Sequence, residues 1–143
     1  MSLLNHFWRL AIYLWVSPGS LVGLLAALLA FTRGGKWKIV TGVLEVHGGG
    51  VTRLLSRFTA MGGPISAITL GHVVVGATQS DLDRTRLHER VHVRQYERWG
   101  PLFIPAYLFA SYWIWLRRSG HPYLDNPFEV EAYAVSDARE PLE

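Results

Sequence analysis

Residues 80–100 read SDLDRTRLHERVHVRQYERWG, and this stretch decides the fold. Ser80-Asp81-Leu82-Asp83 has the form of a helix start, with acidic groups near the positive end of the helix dipole. Gly100 followed by Pro101 is a stop. The residues between predict a helix running to about Arg98. On it, His88-Glu89-Arg90-Val91-His92 matches H-E-x-x-H. Residues four apart share a helix face, so both imidazoles can reach one Zn²⁺. Glu89 is offset from His88 by about 100°. That sets it beside a water at the metal, where it can take a proton, rather than on the metal itself. The structural alternative is two histidines on a buried face, with Glu89 paired to an arginine one turn away. Arg86, Arg90, Arg94 and Glu97 share one face, expected to be solvated. His88, His92, Gln95, Tyr96 and Trp99 share another.

Upstream, residues 36–77 read as β structure. Trp37-Lys38-Ile39-Val40 and Val43-Leu44-Glu45-Val46-His47 alternate or run β-branched, with Thr41-Gly42 as a tight turn between them. Gly48-Gly49-Gly50 closes that hairpin. Val51 to Phe58 fits a short helix or another strand. After Met61-Gly62-Gly63-Pro64, a strand pattern runs from Ile65 to Val75, in which Gly71 suggests a bulge or bend. The expectation is a small, mostly antiparallel sheet of three or four strands.

Further upstream, no Asp, Glu, Lys, Arg or His occurs from Leu10 to Thr32. A run of this length suffices to cross a hydrocarbon core of roughly 30 Å. Ser17-Pro18-Gly19-Ser20 interrupts it, so it reads as one kinked span or as a re-entrant hairpin restarting at Ser20. A cleaved signal peptide is disfavoured, because the apolar run passes any Ala-x-Ala site. Arg9 precedes the run, whereas Arg33, Lys36, Lys38, Arg53 and Arg57 follow it. If the segment spans, this excess places the remainder of the chain in the cytoplasm.

Downstream, Trp99 to Leu116 is a second uncharged stretch, and seven of its residues are aromatic. Pro101 and Pro105 restrict a continuous helix to the part beyond Pro105. Asp125-Asn126-Pro127 reads as a cap with proline at the first helical position, opening a helix from Phe128 to about Ala138.

Composition agrees with a membrane-interface chain. Of 143 residues, 50% are hydrophobic and 17% charged, against about a quarter charged in ordinary soluble domains. The net charge of +3, with little aromatic interleaving in polar stretches, favours lipid over nucleic acid as partner. The absence of cysteine excludes disulfides, thiolate zinc sites and cysteine nucleophiles. No phosphate-binding glycine motif occurs, which excludes a nucleotide fold.

The H-E-x-x-H helix, followed by a separate helix carrying Glu129-Val130-Glu131-Ala132, resembles the gluzincin branch of zinc metallopeptidases, including its small minigluzincin-like members. The resemblance covers residues 80–137. It implies His88, His92 and Glu129 as zinc ligands, Glu89 as general base, and a preceding edge strand (Ile65 to Val75 here) that takes up peptide by β-addition. Glu131 is the competing third ligand, facing the other way. Arg90 and Arg94 stand where the family keeps uncharged or apolar residues, and Tyr133 stands where many members have an aspartate orienting a zinc histidine. Asp125, Asn126 or Asp137 are alternative acceptors. His72 and His121 are candidate oxyanion donors; His6 and His47 read as surface or interface groups.

Two zinc ligands on either side of the Trp99–Leu116 stretch must meet, so that stretch cannot be a simple span. It is expected to lie at the interface, held by its Trp and Tyr residues. The whole reads as an α+β, zincin-like protein: a small antiparallel sheet, an H-E-x-x-H helix and a glutamate-bearing helix behind an N-terminal apolar helix or hairpin. Residues 1–35 would be a membrane anchor and 36–143 the metal-binding domain, with an interfacial helix at 101–118. The implied activity is zinc-dependent hydrolysis of a peptide or protein substrate at the membrane. The alternative is a membrane-anchored metal-binding or scaffold module without turnover.

Overall fold

The computed structural model describes residues 3–55 and 65–137. The turn read at Met61–Pro64, the end of the Val51–Phe58 segment and the end of the last helix at Ala138 lie outside them.

The first element, α1 (Leu3–Phe31), is one continuous helix with Pro18 inside it. Proline leaves the carbonyl four residues back without its amide donor. Here that carbonyl is Leu14 O, and Ser17 Oγ donates to it at 2.8 Å, so the helix continues and the hairpin reading is overturned. Ser20 caps nothing; its hydroxyl accepts from the amide of His72 at 3.1 Å and ties α1 to the sheet. By length and composition Asn5–Phe31 could cross a membrane. One stripe of α1 is nevertheless packed: Ala27 and Ala30 share a core cluster with Val46, Val51, Leu55, Val73 and Val75.

Four strands follow: β1 (Lys36–Val40), β2 (Val43–His47), β3 (Ala67–Leu70) and β4 (Val73–Gly76), with a short helix α2 (Val51–Leu55) after β2. Their order is β1-β2-β4-β3. The β1–β2 hairpin turns on Thr41-Gly42, both at positive φ, as a turn matched to strand twist requires. Gly71, at φ 64°, is no bulge. It takes the first position of the two-residue turn joining β3 to β4, where Leu70 pairs with Val73. The sheet is mixed: β1–β2 and β3–β4 are antiparallel, but β2 pairs with β4 in parallel. The long connection between β2 and β4 makes a parallel return possible. Central β4 is buried along its whole length, as a strand covered on both faces should be. Val73 and Val75 face α1, whereas Val74 packs with Val43, Leu82 and Val93 beneath the next helix.

That helix, α3 (Gln79–Trp99), starts two residues before the expected Asp81, because Thr78 Oγ1 accepts from the Asp81 amide at 3.1 Å. It stops at Gly100, whose φ is 54°. A 3₁₀ turn (Gly100–Leu102) leads into α4 (Phe103–Arg117). Pro105 does not delay α4, since amides of the first turn have no helical partner to lose. Helix α5 (Pro127–Asp137) opens as expected: Asn126 Oδ1 accepts from the Phe128 amide at 3.0 Å. Asn126 Nδ2 donates to Ser111 Oγ (2.8 Å) and Tyr107 O (3.0 Å), fixing α5 to α4. The face carrying Arg86, Arg90 and Glu97 is not simply solvated. Arg86 is paired twice with buried Glu45 of β2, at 2.8 and 2.9 Å. Arg90 donates to Val40 O and Thr41 O, and Glu97 lies 3.1 Å from His72 Nε2. Of the three arginines there, only Arg94 is exposed.

Candidate metal centre

Helix α3 turns His88 and His92 toward α5, which brings Glu129 against both. The two Nε2 atoms are 3.1 Å apart. Glu129 Oε2 lies 3.1 Å from His88 Nε2, and Oε1 3.5 Å from His92 Nε2. One ligand atom from each residue falls within 4.8 Å of the others, so the three could hold a metal ion. Ligand bonds of about 2.0–2.1 Å separate tetrahedral donors by roughly 3.4 Å, close to the spacing found. Glu129 is 3% exposed, and its buried Oε2 makes no hydrogen bond of good geometry among the described residues. A buried carboxylate oxygen is expensive to leave unmatched, so a cation fits this position.

The electrostatics agree. Burial opposes charge on His92, but the hydrogen bond it donates to Glu129 and the charge of neighbouring Glu89 outweigh it and push His92 up to about 9. Burial also opposes charge on Glu129, yet the two imidazoles and Tyr107 hold its carboxyl well below the usual range. Without a metal, the cluster therefore keeps a negative carboxylate and draws positive charge onto His92. A divalent ion displaces that proton.

Glu131, the competing ligand, accepts from Gln95 Nε2 at 2.9 Å and faces Arg98. It points away from the imidazoles, so the third ligand position falls to Glu129. Glu89 is buried and is not among the clustered ligand atoms. Its Oε2 accepts from Thr69 Oγ1 on edge strand β3 at 2.7 Å; Oε1 has no hydrogen-bond partner among the described residues.

Three contacts were not read from the sequence. Gln95 Oε1 lies 2.8 Å from His92 Nδ1, while Gln95 Nε2 donates to Phe128 O at 2.9 Å. With its amide nitrogen committed as donor, Gln95 can only accept from His92. Nδ1 therefore carries the proton and the Nε2 lone pair faces the cluster. Tyr107 of α4 donates to Glu129 Oε1 at 2.7 Å. Burial, then the Glu129 charge, pushes the Tyr107 hydroxyl upward, so it stays a donor. Thr69 is the third.

The other expected acceptors serve elsewhere. Asp125 Oδ2 accepts from the His121 amide at 2.6 Å, Asn126 caps α5, and Asp137 meets Ser136 at 3.3 Å. Tyr133 packs its ring on His88, with centroids 4.6 Å apart. His121 Nδ1 accepts from the amides of Tyr123 and Leu124 at 3.2 Å. His72 sits against Tyr13 and Glu97. Neither histidine contacts the cluster. No protein-family model, no curated protein and no solved structure matches this chain.

Proposed function

We propose that the chain is a membrane-associated zinc-dependent peptidase. The observation that carries this reading is the convergence of two imidazoles and one buried carboxylate with an unmatched oxygen, Glu129 Oε2, with a second carboxylate, Glu89, beside them and off the ligand set. Two nitrogens and one oxygen form a catalytic type of zinc site, because they leave a coordination position open. A zinc ion held by His88, His92 and Glu129 would polarise the scissile carbonyl and lower the pKa of water there.

The remaining work falls to the chain's own groups. Glu89, held at one oxygen by Thr69, has its other oxygen available to take a proton from the attacking water. It then delivers that proton to the nitrogen of the breaking C–N bond. Gln95 fixes the His92 tautomer, and Tyr107 fixes Glu129. Edge strand β3, whose outer side has no neighbouring strand among the described residues, offers backbone groups to an extended peptide. Thr69 puts that edge next to Glu89. Membrane association is supported by α1 and by the exposed apolar side chains of α4, among them Phe109, Trp115 and Leu116.

The test is Glu89→Gln in full-length protein, with Glu129→Ala beside it. Glu89→Gln should keep about one zinc per chain by elemental analysis, while hydrolysis of a peptide library falls by about 10²–10⁴-fold. Glu129→Ala should lose the zinc. Wild type and Glu89→Gln hydrolysing peptides equally, or Glu129→Ala retaining full metal, would return the chain to the non-catalytic reading.

A further inference from the structure

Helix α3 has a second chemical face. Arg90 and Arg94 each lie two positions from a cluster histidine, about 200° around the helix, and they open on a different part of the molecule. Together with Arg9 and Tyr13 of α1 and Thr41 of the β1–β2 turn, they line an open cavity of about 720 Å³. Arg9 and Arg94 make no hydrogen bond or ion pair with any described residue. Arg90 is anchored through the Val40 and Thr41 carbonyls, with its charge partly desolvated. The acidic residue in the wall, Glu97, is already engaged with His72. Three guanidinium groups therefore face one occupied carboxylate.

The cavity does not end there. A second groove of about 290 Å³ shares Tyr13, Gly42 and His72 with it, then continues along Leu21 and Leu24 of α1 and Ile39 and Leu44 of the hairpin. Its walls are almost wholly apolar. A cationic chamber thus adjoins an apolar groove, with Tyr13 and His72 as their common wall, along a helix whose other faces are themselves apolar and exposed. Guanidinium groups match phosphate oxygens in geometry as well as charge, and an aliphatic channel matches an acyl chain.

We propose that this face binds an anionic phospholipid, its phosphate held by Arg9 and Arg94 and one acyl chain lying in the groove between α1 and the β1–β2 hairpin. Free phosphate shares the headgroup chemistry but fills none of the groove. The site is separate from the metal cluster and does not depend on the peptidase reading.

The experiment is native mass spectrometry of the full-length protein, titrated with dihexanoyl phosphatidylglycerol, dihexanoyl phosphatidylcholine or inorganic phosphate. The anionic lipid should bind more tightly than the zwitterionic one, and inorganic phosphate at the same concentration should not displace it. Arg9→Gln and Arg94→Gln remove exposed, unpaired side chains, so both variants should unfold at the wild-type urea midpoint. Each should weaken binding of the anionic lipid by about fivefold. Equal affinity for the two lipids, or an Arg9→Gln/Arg94→Gln protein that binds as wild type does, would overturn the proposal. Displacement by inorganic phosphate would also overturn it, by assigning the cavity to a soluble anion. None of these results involves zinc, so failure here leaves the metal centre untouched.

Discussion

Replacing Gln95 by methionine keeps the side-chain length and removes every hydrogen bond at a position with no solvent exposure. Three contacts go: the acceptor for His92 Nδ1 (2.8 Å), and the donors to Phe128 O and Glu131 Oε2 (both 2.9 Å). Phe128 O belongs to the first turn of α5 and keeps a helical partner, and Glu131 keeps Arg98. The His92 N–H has no second acceptor. Stranding it should cost about 1–3 kcal/mol, and each lost neutral bond about 1 kcal/mol more. Metal-free Gln95→Met is thus expected to lose about 2–4 kcal/mol of unfolding free energy by urea titration, a large part of a total of about 5–15 kcal/mol. Zinc affinity, read by competition with a chromophoric chelator, should fall about 10–100-fold, as it does when a metal histidine loses its outer acceptor. Gln95→Glu separates the two effects. It keeps an oxygen for His92 and should restore most of the zinc affinity, yet it sets a carboxylate beside Glu131 and should leave the metal-free protein destabilised. Wild-type zinc affinity in Gln95→Met, or a glutamate variant binding no better than the methionine one, would refute the tautomer argument.

Two further expectations concern the scaffold. Burial opposes charge on Glu45, but the paired bonds from Arg86, with Lys38 at 3.5 Å, hold its carboxyl below the ordinary 4.5. A folded-state value below the unfolded one gives stability that is present above about pH 4.5 and is lost as pH falls through the folded value. Metal-free Glu45→Gln should therefore be less stable than wild type by about 1–3 kcal/mol near neutrality, with the gap closing in acid; a gap independent of pH would contradict the pairing. Gly23→Ala would put a methyl 2.6 Å from Val73 Cβ and 2.8 Å from Leu70 O, an overpacking cost of about 1–3 kcal/mol against a helix-propensity gain of about 1 kcal/mol. Thermal unfolding should move down by a few degrees, whereas a higher midpoint would show that α1 does not dock on the sheet at Gly23.

What could be read in advance was whatever local chemistry decides. The Thr41-Gly42 hairpin, the Asn126-Pro127 helix start and the Gly100 stop are each fixed by a few adjacent residues. The two histidines at helical spacing are of the same kind, whereas Glu129 came only from the resemblance of the second helix, with Glu131 in competition. The parts that escaped depend on partners far along the chain. Ser17 rescuing the helix at Pro18 required knowing that a hydroxyl would replace a lost amide. The parallel pairing of β2 with β4 is set by where the 48–66 connection returns the chain. Arg86 and Arg90 looked like solvated charges because Glu45 and the Val40 and Thr41 carbonyls are more than 40 residues away. Gln95 was placed on the correct face, three residues from His92, but an amide carries no charge to mark it as that histidine's acceptor.

The aromatic segment after α3 illustrates the same limit from another side. Its lack of charge reads as lipid contact, and its outer residues are exposed, Phe109 at 64% and Trp115 at 62%. Yet α4 has only 15 residues, about 22 Å of helix, and cannot carry the chain across roughly 30 Å of hydrocarbon. The 118–126 connection then brings α5 back against α3, and so Glu129 meets His88. The inner residues of α4 do the rest: Phe103 packs on Tyr96, Ser111 receives Asn126, and Tyr107 holds Glu129. Helix α1 is divided in the same way, with Val16 in a core cluster alongside Tyr96 and Phe103, and Ala27 and Ala30 in the one beneath the sheet, while Leu14, Leu25 and Leu28 remain outside. The boundary between residues 35 and 36 therefore falls between elements that share a core. A helix docked on a sheet from Ser20 to Ala30 cannot be surrounded by acyl chains on every side there, because the sheet's edge amides and carbonyls and the lysines of β1 need water. Only the outer faces of α1 and α4 are left open to an apolar phase, and the inner faces of those two helices pack toward the His88, His92 and Glu129 cluster.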